Sequence, residues 1–113
     1  MKSIAYPVRA KVWLYKGESP WHFVTIKKAD ADEIKKEYIW PTSLPAGRQG
    51  FGSIPVNVTI LRQDSGQVGK TKWKTSIFPD KKGTYVLPLK KEVRVKEDIK
   101  LGDTVTVSIE VVI

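Results

Sequence analysis

Cysteine is absent from the 113 residues, and histidine occurs once, at His22. The first absence excludes disulfides, thiolate metal sites and cysteine nucleophiles, and nothing in the chain requires an oxidising compartment. The second leaves any histidine-based metal site dependent on carboxylate partners, and no spacing supplies them. A strand histidine facing solvent is the simpler expectation, and no cofactor is expected. Apolar runs long enough for a signal peptide or a membrane span are missing too, so a soluble, cytoplasmic protein is expected. PAGRQGFG has glycines but lacks the Lys-Ser/Thr ending of a phosphate-binding loop.

What is present is a basic, strand-rich chain. At 113 residues it is long enough for one hydrophobic core and too short for two, so residues 1–113 read as a single domain. Its net charge of +8 favours acidic partners, nucleic acid among them, by long-range attraction. The charge is evenly spread: residues 1–50 carry nine Lys/Arg against five Asp/Glu, and residues 51–113 carry eleven against seven. Each part therefore nets +4, neither is a basic tail, and a lysine-rich solvated surface is the plain alternative.

Period-two alternation marks the strands. From Val8 to Tyr15, Val8, Ala10, Val12 and Leu14 share one face while Arg9, Lys11, Trp13 and Tyr15 share the other. KGESP then turns the chain into the antiparallel strand WHFVTI. Asp30 and Glu33 head ADADEIKKEYI as a helix start with acidic residues at the positive dipole end, and Pro41 stops the helix by Trp40. In GSIPVNVTILR, Ile54, Val56, Val58 and Ile60 face one way, and Pro55 suggests an edge or a bulge. TKWKTSIF and TYVLPL form a hairpin across the turn PDKKG, a short helix follows in KKEVRVKED, and TVTVSIEVVI closes the chain.

The pattern repeats. Residues of about 8–62 and about 70–113 each read as strand, turn, strand, short helix, strand. Closing two such units against each other removes exposed strand edges. The expected fold is therefore mainly β: a small closed double-split β-barrel of about six strands, with two short helices. Positions of about 41–50 interrupt this plan, and Ser43 to Gly50 reads as a surface-loop insertion.

TSIFPDKKGTYVLPLKKEVR, with FGSIPV before it and IKLGDTVTV after it, closely resembles an uncharacterised prokaryotic family, domain-of-unknown-function number nineteen hundred and five. T-S-x-F-P, Y-x-L-P-L-K, V-R and G-D-x-V occur in that family's order, most clearly from Gly50 to Val107. The resemblance implies a double-split barrel and no activity. VLPLKKEVRVKEDIKLGDTVTV is more distantly similar to AbrB/MazE-type DNA-binding proteins. Val93-Arg94, Ile99 and Gly102-Asp103 fit that pattern, whereas two extra residues separate Pro88 from Val93. Those proteins build the barrel from two chains; this one holds both units, so a monomer is expected.

Candidate contacts follow from charge and ring chemistry. Arg9, Lys11 and Trp13 mix basic and aromatic groups as base-stacking surfaces do, though aromatics covering the rim of a barrel interior would look the same. Lys74 and Ser76, two apart on one face, could be imagined as a nucleophile pair, but a stripe shared with Lys70 and Lys72 reads as solvated. Lys81 and Lys82 form an exposed hairpin tip. Arg94 could hold a phosphate or carboxylate, or pair with Asp98 or Asp103 to fix a turn. Three functions are thus expected in descending order: a non-catalytic binding module for an acidic ligand or macromolecular partner, an AbrB/MazE-like DNA binder, and a small enzyme.

Overall fold

A computed structural model describes residues 5–15, 17, 21–39, 53–63, 66 and 68–112. The expected insertion at Ser43 to Gly50 and most of the KGESP turn lie outside the described residues. Chain order is β1 (Ala5–Lys11), β2 (Trp13–Tyr15), β3 (Trp21–Ile26), α1 (Lys28–Ile39), β4 (Ile54–Gln63), β5 (Lys72–Pro79), β6 (Tyr85–Pro88), α2 (Lys91–Lys96) and β7 (Thr104–Val111). The strands form one curled, antiparallel half-barrel sheet of seven strands in the order β1-β7-β4-β5-β6-β3-β2.

The inner face follows from alternation. Val58 stands opposite Ile109, Val56 opposite Val111 and Ile60 opposite Val107, and all six are buried. Each such cross-strand pair removes two branched side chains from water, about 1.5–3 kcal/mol for each. The row of Ile60 and Val107 extends to Val8 on β1, and Ile77 on β5 stands opposite buried Ile54. On the other half of the sheet Val24 faces Leu87 and Ile26 faces Tyr85. Ile34 of α1 and Val93 of α2 complete the core. In the β5–β6 hairpin Ile77, Tyr85 and Leu87 are buried, and Trp73 packs partly buried against the core.

Two expectations about the strands need correction. The span Val8 to Tyr15 is two strands, because Val12 accepts from Gly102 N–H at 2.9 Å and donates its own N–H to Asp103 at 2.8 Å. Pinned there, the chain leaves β7 and pairs with β3 instead. Pro55 does not mark an edge: β4 has β7 on one side and β5 on the other, and the proline sits near the strand's start, opposite Ser76. The irregularity lies further on, at Leu61, where the β4–β7 register slips by one residue.

That slip decides what β4 presents. Before it, even-numbered residues point inward; after it, Arg62 turns outward opposite Thr106 and Gln63 turns inward opposite Val105. Gln63 is buried and donates from Nε2 to the Glu97 carbonyl at the end of α2. The helix closes with a left-handed residue, Asp98 (φ 52°), with Ile99 N–H on the Arg94 carbonyl at 2.8 Å and Asp98 N–H on that of Val95 at 3.3 Å.

Candidate functional site

The outer face of the β1-β7-β4-β5 half of the sheet is polar and basic. Reading across the register, one row runs Arg9, Thr106, Arg62. The next runs Pro7, Ser108, Thr59, Lys72, and a third runs Ala5, Glu110, Asn57, Lys74. Lys11 stands opposite Thr104 at one end, and Ser76 opposite Pro55 at the other. Arg9, Lys11, Arg62, Lys72 and Lys74 are exposed, and Glu110 is the acid in these rows. With strands about 4.8 Å apart, the β1 and β5 rims lie about 14 Å from each other across β7 and β4, whose outer side chains are hydroxyls, Asn57, Arg62 and Glu110.

Beyond Lys72 the face continues into a groove of about 450 Å³ lined by Val68, Lys70, Thr71, Lys72, Lys96 and Glu97. Glu97 is 6% exposed, yet its Oε2 accepts N–H donors from Thr71 at 2.9 Å and Lys70 at 3.2 Å. A hydrogen bond from the Thr71 side chain, helped by those two backbone donors and by Lys96, holds the carboxyl below its ordinary value against the opposing effect of burial. Glu97 therefore ties the end of α2 to the approach to β5. Gly69 is required beside it, since a Cβ there would lie 2.8 Å from Glu97 Oε1 and 2.5 Å from Ile60 Cγ2.

A second surface covers the outside of β2 and β3. Trp13 faces Phe23 and Tyr15 faces Trp21 across the strand pair. Phe23 is the hub: Trp21 stacks on it at 6.2 Å and 7°, Trp13 tilts against it at 5.3 Å, and Tyr15 meets it edge-on at 6.3 Å. Trp13 is fixed further by donating Nε1–H to Thr25 Oγ1 at 2.9 Å. Tyr15 and Trp21 are each 52% exposed.

The sequence-derived candidates thus fall in several places. Arg9, Lys11, Lys74 and Ser76 share the polar face, and Trp13 belongs to the aromatic cluster. Lys81 and Lys82 are exposed in a 3-10 turn that abuts the first turn of α1, where Gly83 approaches Lys28. Arg94 donates from Nε to the Leu89 carbonyl at 3.2 Å, and the two acids proposed as its partners serve Lys100: Asp103 accepts its N–H and Asp98 stands 3.9 Å from its Nζ. His22 is not solvent-facing: the ring is half-buried, and its Nδ1 is buried with no hydrogen-bond partner among the described residues. Burial, then the nearby Arg94 charge, lowers its pKa from 6.5. Ser76 and His22 belong to different strand pairs.

Sequence reasoning passed over Arg62, Trp21 and Phe23. Arg62 was hidden by the slip at Leu61, which simple alternation cannot show. Trp21 and Phe23 were legible, because WHFVTI puts both on one face of a strand that follows another aromatic strand.

The fold and its surfaces define a small antiparallel β protein with a basic outer face beside an aromatic one. The chain belongs to the family described as Domain of unknown function (DUF1905), whose model matches residues 9–109. The match takes in both helices and every strand between β1 and β7, in agreement with the resemblance read from the T-S-x-F-P and Y-x-L-P-L-K motifs. No curated protein and no solved structure shows significant similarity to the chain.

Proposed function

We propose that the protein is a non-catalytic binding module that holds a polyanionic macromolecule against the outer face of β1, β7, β4 and β5. The observation that carries this reading is the register, which gathers Arg9, Lys11, Arg62, Lys72 and Lys74 on one face among hydroxyls and Asn57, with Glu110 as the acid in those rows. Cations at both rims and hydrogen-bonding groups between them suit a chain of anionic groups lying across the sheet.

The scaffold we propose for this face is a closed double-split barrel of two fused repeats. β1 and β2 stand at opposite ends of the strand order yet adjoin in the chain at Val12, so that span would join the two ends. Corresponding strands of the two units pair with each other, β3 with β6 and β4 with β7, as a pseudo-twofold arrangement requires. One chain would then suffice, and the protein would act as a monomer.

The test is a titration with heparin and with duplex DNA over a range of salt. Duplex affinity should fall linearly on a log–log plot, and Lys72→Glu/Lys74→Glu should weaken binding and reduce the slope by about 2. Lys81→Glu/Lys82→Glu should change little. The opposite ranking would move the site to the hairpin tip. Sequence-selective duplex binding that survives physiological salt would favour the AbrB/MazE-like alternative.

A further inference from the structure

We infer that the polyanion is single-stranded nucleic acid, its phosphates on the basic face and its bases stacked on Tyr15 and Trp21. This rests on the basic-face reading above and adds the partner's class.

The two surfaces adjoin in the chain at Val12: Arg9 and Lys11 are exposed on β1, and Trp13 and Tyr15 open β2 immediately after it, so charge passes into aromatic rings within the seven residues from Arg9 to Tyr15. The rings are also set in place before any ligand arrives. Phe23, two residues along the same strand, stands parallel beside Trp21 and edge-on to Tyr15, and the Trp13–Thr25 hydrogen bond braces the cluster. Tyr15 and Trp21 face each other in register with half of each residue open to solvent. Two fixed, adjacent, half-exposed rings are a stacking platform that loses little entropy on use.

The occupant must offer both anions and accessible π-faces. Duplex DNA has the anions but keeps its bases stacked on each other, and a sulfated polysaccharide has no rings to stack. A second copy of this chain would bring its own net charge of +8 against the first. Single-stranded nucleic acid satisfies both requirements, because every base carries a π-face and every linkage a phosphate.

The experiment titrates the full chain with oligothymidylate and, separately, with heparin, for the native protein, Trp21→Ala, Trp21→Phe, Tyr15→Ala and Lys72→Glu/Lys74→Glu. Trp21→Ala and Tyr15→Ala should each weaken oligothymidylate binding by about five- to a hundredfold, the range for losing one stacked base, and leave heparin binding unchanged. Trp21→Phe should restore most of the loss, and the charge reversal should weaken both ligands. If neither alanine variant alters oligothymidylate affinity while heparin still binds, this inference is overturned and the basic-face reading stands. Absence of heparin binding to the native protein would overturn the basic-face reading itself. A native dimer that Trp21→Ala dissociates would identify the rings as a self-association patch and overturn the inference.

Discussion

Replacing Glu97 by alanine perturbs a buried carboxylate that joins α2 to the sheet. Its Oε2 accepts Thr71 N–H at 2.9 Å and Lys70 N–H at 3.2 Å. Alanine leaves both donors without that acceptor. An unsatisfied buried donor costs about 1–3 kcal/mol, and because Lys70 is exposed, water can satisfy its N–H. The net loss should be about 1–3 kcal/mol, or about 4–12 °C in Tm for a domain of this length. Glu97→Gln keeps an acceptor oxygen but not the charge, and should cost about 1 kcal/mol. The sign with pH follows from the depressed carboxyl. A group whose folded pKa lies below its unfolded value contributes stability above the unfolded value, here 4.5, and loses it as pH falls through the folded one. The assay is thermal unfolding of the native protein and both variants from pH 7 down to pH 3. The gap between native and Gln proteins should be full above about pH 5 and shrink below it. An alanine variant within 2 °C of native, roughly the effect of a neutral surface change, would refute the reasoning, as would a pH-independent gap.

Gly69→Ala should destabilise by about 1–3 kcal/mol in urea unfolding, because the new methyl would meet Ile60 Cγ2 at 2.5 Å and Glu97 Oε1 at 2.8 Å. Asp98→Gly should stabilise by about 0.5–1 kcal/mol, since glycine takes the left-handed conformation at φ 52° without strain; a lower urea midpoint would contradict this. His22 is held below its ordinary 6.5 by burial and Arg94, so its neutral form contributes stability that is present above 6.5 and lost as pH falls through the depressed value. His22→Leu should flatten that part of the stability profile, and an unchanged profile would show that His22 carries no such linkage.

The parts of the fold that were legible are those governed by strict alternation. Ile54 to Ile60 and Val105 to Val111 each show one apolar face, and the structure pairs those faces directly. The hairpin around PDKKG was legible from its turn residues, with Gly83 taking a positive φ of 81°. Hidden features depend on partners distant in sequence. Val12 breaks its strand because Gly102 and Asp103 occupy its backbone, and Glu97 acquires its role only from Lys70 and Thr71. The candidate face was half legible: Arg9, Lys11, Lys74 and Ser76 were singled out, but their union on one surface needs the order β1-β7-β4-β5. Arg62 joined them through a register slip that no residue type announces.

The central claim concerns where a polyanion sits, and amide chemical-shift mapping during a heparin titration tests it most directly. The largest shifts are expected at Thr104, Thr106, Ser108, Asn57 and Thr59, between the basic rims, with Lys72 and Lys74 following. Shifts concentrated at Lys81, Lys82 and Gly83, or around Arg94, with the sheet face silent, would contradict it.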